Sequence, residues 1–165
     1  MDVVEFERLF RDEYPRLVRS LTLVCGDREV AADVVQDAFV QAHRHWRRVS
    51  AYDDPATWVR RVAVNRAFNH HRGVRRLWRF LDRAGRPDRQ GTEPPDVAGE
   101  VDLWRAVADL PHQQRHAVAL YYLADLPIAE VAAALDIQPG TVKAHLHHAR
   151  AALADRLGSP TGGSQ

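Results

Sequence analysis

The side chains with the most chemical potential gather near the C-terminus: Lys143, His145, His147, His148 and Arg150. They do not make a catalyst. No carboxylate or cysteine stands at zinc-ligand spacing from these imidazoles, and HExxH is absent. A second pair, His112 and His116, is four residues apart and equally without a third ligand in its segment. No phosphate loop, GxGxxG or GxSxG occurs. The expectation is a protein that is not an enzyme, with no metal, no cofactor and no small-molecule substrate. Cations and imidazoles interleaved with alanine suit contact with a polyanion.

Positioning them requires a helix, and residues 127–157 read as a helix-turn-helix. In the first helix Ile128, Val131, Ala132 and Leu135 follow the i, i+3, i+4, i+7 pattern of a buried face. Ala132, Ala133 and Ala134 let a second helix cross closely. Residues 136–140 form the turn, where Pro139 and Gly140 set the backbone, Ile137 plugs the angle and Thr141 caps the next helix. That helix is expected to bury Val142, Leu146, Ala149, Leu153 and Leu157, an arc of about 80° at 100° per residue. Ala144, His148 and Ala151 lie opposite, flanked by Lys143, His147 and Arg150. Thr141, Lys143, Ala144, His147, His148 and Arg150 are the expected DNA contacts, since recognition helices read bases from their N-terminal turns. Two amphipathic helices in a plain bundle are the alternative.

The rest of the chain also reads as all-α, two small helical domains joined by a flexible linker. In residues 4–24 Phe6, Leu9, Phe10, Tyr14, Leu17, Val18, Leu21 and Val24 make one stripe, which Pro15 bends or splits. Further helices are expected over about 29–46 and 55–72, with Asp53 and Asp54 as candidate caps for the latter. Residues 73–100 hold Gly73, Gly85, Pro87, Gly91, Pro94, Pro95 and Gly99 and read as a linker, in which 74–81 could form a short basic helix. The boundaries expected are 1–72, linker 73–100, 101–158 and a disordered tail, 159–165.

The formal net charge of 165 residues is only +1. Its distribution says more: residues 60–89 hold ten arginines against Asp82 and Asp88, whereas the first forty residues lean acidic. Separate acidic and basic partner surfaces follow. Cys25 is the single cysteine, in an apolar stretch, so it is expected to be buried and inert. No signal peptide and no bilayer-length apolar run is legible, so a soluble, cytoplasmic protein without membrane insertion is expected.

The run "LPHQQRHAVALYYLADLPIAEVAAALDIQPGTVKAHLHHARAAL" resembles region 4 of the extracytoplasmic-function (group 4) sigma factors of bacterial RNA polymerase. "AADVVQDAFVQAHRHW" resembles their region 2.2, and "PATWVRRVAVNRAFNHHR" their regions 2.3–2.4. The resemblance covers about 6–157. It implies a two-domain initiation factor: region 2 binds the polymerase clamp and recognises and melts the −10 element, and region 4 binds the −35 element and the polymerase flap. The linker would thread through core RNA polymerase. Core polymerase and promoter DNA are the implied partners, and an anti-sigma factor is an expected third.

The resemblance assigns residues. On helix 29–46, Val35, Ala38, Phe39, Ala42 and Trp46 share a core side, while Asp33, Asp37, Val40 and Arg44 face away, with Gln36 and Gln41 at the edges. Asp33, Gln36, Asp37 and Val40 are carried over as the clamp-binding face. On helix 55–72 and the loop before it, Tyr52, Arg60, Arg61, Asn65, Arg66, Asn69 and Arg72 are carried over as −10 contacts, suited to single-stranded DNA by cations for phosphates and pockets for bases. His112 and His116 match surface positions. Two departures stand out: Asn69 replaces a common Asp, and Ala144-His145-Leu146-His147-His148 replaces a more basic run. Histidine for arginine removes permanent charge at neutral pH, so either the −35 contacts differ or binding is weaker and more pH-sensitive. Two other classes fit less well: a stand-alone helix-turn-helix regulator with an N-terminal helical interaction module, and a pure interaction protein.

Overall fold

The computed structural model describes the backbone of residues 2–81 and 101–158 and the side chains of 3–70 and 102–158. The expected contact Arg72 and the tail 159–165 lie outside the described side chains, as does most of the expected linker. All regular structure among the described residues is helical. The chain divides into two compact units that part between Thr92 and Glu93.

The first unit packs three long helices. α1 spans Asp2–Cys25, α2 Arg28–Arg44 and α4 Pro55–Leu81, with a single turn, α3, at Trp46–Val49. α1 runs unbroken through Pro15. Pro15 is exposed, so the carbonyl that its missing N–H leaves unpaired can be hydrated. Gly26 turns the chain in the left-handed region, φ 74°, and Asp27 caps α2 by accepting from the amides of Glu29 and Val30 at 2.8 and 3.3 Å. α2 ends two residues earlier than its pattern suggests. His45 leaves helical geometry at φ −112°, ψ 22°, and Trp46 reaches the core from α3. Leu17, Leu21, Val35, Ala38, Val49, Val59 and Ala63 form the interior of this unit. An aromatic cluster extends it: Phe6 meets Phe39 and Trp46 edge-on at 6.2 and 5.2 Å, and Phe10 meets Phe39 at 4.9 Å.

Asp54 begins α4. Its carboxylate accepts from the amides of Ala56 and Thr57 at 3.1 and 3.3 Å and from the Thr57 hydroxyl at 2.6 Å. The Thr57 hydroxyl bond in particular holds the Asp54 carboxyl below the ordinary carboxylate value; the two amide bonds and the Arg60 charge act the same way against desolvation. α4 then continues through Gly73 to Leu81, where the sequence suggests a linker interrupted by a separate basic helix. Cys25 is half-buried, and burial, helped by Asp27, pushes its thiol up to about 12. An inert thiol results.

The second unit holds α5 (Val101–Ala108), α6 (His112–Val118), a π turn (Ala119–Leu123), α7 (Ile128–Leu135) and α8 (Pro139–Leu157). α8 is the centre, packed by α5, α6 and α7. Leu120, Val131, Val142, Leu146 and Ala149 fill the interior. His116 joins them at 1% exposure, so the surface position expected of it is corrected. It lies one helical turn before the buried Leu120, on the inward face of α6.

Candidate nucleic-acid interface

α7 and α8 form the expected helix-turn-helix. Asp136 ends α7 in the left-handed conformation, φ 56°, ψ 47°. The Asp136 and Ile137 amides bond back to Ala133 and Ala132 at 3.4 and 3.1 Å, the double bond of a Schellman ending. Half-buried Ile137 follows in the angle. α8 starts earlier than the sequence suggests. Gln138 is its boundary residue and Pro139 its first helical position, where a missing N–H costs nothing. Thr141 is therefore inside the first turn, its amide donating to the Gln138 carbonyl at 3.0 Å, and is not the cap. Gly140 has no positive φ, and a side chain there would meet no atom. Its backbone freedom is not what the turn uses.

Val142, Leu146 and Ala149 are buried. Leu153 is half-buried, and Leu157, expected in the core, is 47% exposed in the last turn of α8. Thr141, Lys143, Ala144, His147, His148 and Arg150 are all exposed. Lys143, His147 and Arg150 fall on one stripe, at i, i+4 and i+7. Arg150 donates from Nη1 to the Tyr122 hydroxyl at 2.8 Å. Tyr122 is a surface residue that the sequence reading missed.

In the first unit, α4 and α2 enclose an open groove of about 520 Å³ lined by Val34, Asp37, Gln41, Val62, Asn65, Arg66, Asn69 and His70. Arg66 donates to Gln41 Oε1 at 3.2 Å and lies 3.7 Å from Asp37 Oδ2. The structure thus brings Asn65, Arg66 and Asn69 together, and adds Gln41 and His70 to them. Exposed Arg61 does not line the groove, nor does Tyr52, whose hydroxyl accepts from Arg48 Nε at 3.1 Å. Arg60 is removed from the surface set. Its guanidinium is buried and holds Glu13 of α1 through two hydrogen bonds, 2.9 and 2.6 Å. The sequence cannot show that an arginine has a partner 47 positions away.

Asp33, Gln36, Asp37 and Val40 are exposed on α2, with Val40 at 43%. Gln36 and Val40 border a second groove of about 320 Å³ against α1, lined also by Phe6, Phe10, Phe39, His43 and Arg44. Phe10, expected within a buried stripe, is exposed here. Among the described residues no cluster of three or more His, Cys, Asp or Glu could hold a metal, and no helix is long and apolar enough to cross a membrane.

An all-helical protein with one unit ending in an exposed cationic helix-turn-helix, and another presenting a polar groove beside a mixed surface, is a nucleic-acid-binding protein by class. The comparisons sharpen this. Residues 9–80 match the sigma-70 region 2 family and residues 100–153 match sigma-70 region 4. The chain is 30% identical to the extracytoplasmic-function (ECF) RNA polymerase sigma factor SigM of Mycobacterium tuberculosis, over 95% of this chain and 79% of that one. It is also 30% identical to the RNA polymerase sigma-E factor of Streptomyces coelicolor, over 94% and 88%. The fold resembles that of sigma factor RpoE from Bartonella quintana, solved with the anti-sigma factor NepR, at a TM-score of 0.66 and 20% identity over 94% of this chain and 98% of that one. This chain belongs to the ECF sigma factors of the sigma-70 family.

Proposed function

We propose that the protein binds core RNA polymerase and directs promoter-specific initiation, residues 1–72 serving the clamp and the −10 element and residues 101–158 the −35 element and the flap. The observation that carries this reading is the presence of both surfaces, in family order, on one chain. α8 offers Lys143, His147, His148 and Arg150 to duplex DNA. The α2–α4 groove offers Asn65, Arg66 and Asn69 to the opened strand. Cations for phosphates and polar pockets for base edges suit single-strand recognition. Asp33, Gln36, Asp37 and Val40 give a mixed polar and apolar face suited to a protein partner. Residues 73–100 join the two, and the site of action is where polymerase works, the cytoplasm. An anti-sigma factor covering these faces is the expected regulatory partner.

Permanganate footprinting of promoter DNA tests the melting role. Unpaired thymines near the start site are expected only with sigma and core polymerase together. No reactive thymines with sigma and core polymerase together, but protection of duplex DNA from DNase I by the protein alone, would instead mark an autonomous regulator.

A further inference from the structure

We propose that Tyr122 is a DNA-binding residue, and that its hydroxyl and the Arg150 guanidinium together grip one phosphate beside the −35 element. The inference rests on the reading of α8 as the −35 helix. It names a contact outside that helix.

The π turn Ala119–Leu123 places Tyr122. The Ala124 amide reaches back five residues to the Ala119 carbonyl at 2.9 Å, so this segment carries wider backbone spacing than an α-helix. Such segments are short, rare and frequently functional. The buried members Ala119 and Leu120 fix it in the core. Tyr121 packs edge-on to Tyr122 at 4.9 Å, and Tyr122 is left 44% exposed.

Its hydroxyl lies 2.8 Å from Arg150 Nη1 and acts as acceptor. A phenol is donor and acceptor at once, so its own proton is left to give. Arg150 likewise keeps its other N–H groups. Both donors stand at the edge of the stripe Lys143, His147, Arg150, on the flank of α8 rather than opposite its buried side. Flanks of a helix seated in the major groove meet the phosphates, and tyrosine hydroxyls are among the groups that bind them. The hydrogen bond also restricts the long arginine side chain before DNA arrives, lowering the ordering cost of the contact.

The test uses the holoenzyme on a duplex whose start site has been mapped by run-off transcription. Tyr122→Phe is expected to weaken promoter binding by about threefold to tenfold, with unchanged thermal unfolding and an unchanged salt slope. Arg150→Ala is expected to lower that slope by about one. The double variant is expected to bind worse than Arg150→Ala alone, but by less than the product of the two single effects, because the two donors share one phosphate. Neutral methylphosphonates placed one at a time along the −35 flank should reveal one position at which wild type and Tyr122→Phe bind alike, and Arg150→Ala should point to the same position. Wild-type affinity in Tyr122→Phe, additive effects, or two different phosphates would overturn the inference while leaving the −35 reading intact. A wild-type holoenzyme that forms no promoter complex would overturn both.

Discussion

Arg60 on α4 and Glu13 on α1 form a forked, buried ion pair, each side chain about 10% exposed, with bonds of 2.9 and 2.6 Å. The pair ties α1 to α4, the helix that carries Asn65, Arg66 and Asn69. Removing either side chain breaks this buried pair. Glu13→Ala or Arg60→Ala is expected to cost about 3–5 kcal/mol, and the apolar double replacement Glu13→Leu/Arg60→Met far less. Urea unfolding of the two singles and the double measures this. Equal losses in all three would mean that packing, not the charges, matters there.

Arg66 makes the opposite prediction. Its contact with Asp37 is exposed and 3.7 Å long, so it is worth at most about 1 kcal/mol. Arg66→Ala should leave the unfolding midpoint nearly unchanged and weaken holoenzyme binding to a single-stranded −10 oligonucleotide. Loss of stability without loss of binding would assign Arg66 to the fold instead.

Asp54 makes stability depend on pH. Its carboxyl is held below the ordinary value of 3.8 in the folded protein, first of all by the Thr57 hydroxyl. A depressed folded-state value means that the stabilisation is complete above the unfolded value and is lost as pH falls through the folded one. Asp54→Ala is expected to destabilise by about 1 kcal/mol at neutral pH. The gap to wild type should narrow as pH falls below the ordinary value of 3.8 and through the lower folded one. Denaturant titrations at both ends of this range check the sign, and a gap that widens in acid would refute the capping account.

Gly140 separates fold from function. It sits in the first turn of α8, without positive φ and with open space around it. Gly140→Ala should therefore raise stability by about 0.4–1 kcal/mol. If the start of α8 enters a groove, the added methyl should also lower promoter affinity. A stabler protein with unaltered affinity would show that this turn stays clear of the DNA.

What the sequence made legible follows from where the physics is local. The buried side of α2, with Val35, Ala38, Phe39 and Ala42, is a period-3.6 pattern and was readable directly. So was the helix-turn-helix, because the small alanines of α7 and the break before Pro139 suit two closely crossing helices. Helix ends were less legible: the start of α8 is set by Pro139 rather than by Thr141, and α4 passes through Gly73 because one glycine costs only about 1 kcal/mol in a long helix. Least legible were relationships across the chain. Neither Glu13–Arg60 nor Tyr122–Arg150 has any periodic signature, and the first removes a residue from the expected surface set while the second underlies the proposed addition of one. The π turn that aims Tyr122 shifts the helical phase that periodicity arguments assume.

Run-off transcription tests the central claim most directly, with purified core polymerase, this protein and fragments of the host genome. Discrete transcripts are expected when both proteins are present and none when either is omitted. Absence of any specific transcript from the reconstituted pair, across the whole set of fragments, would contradict the account.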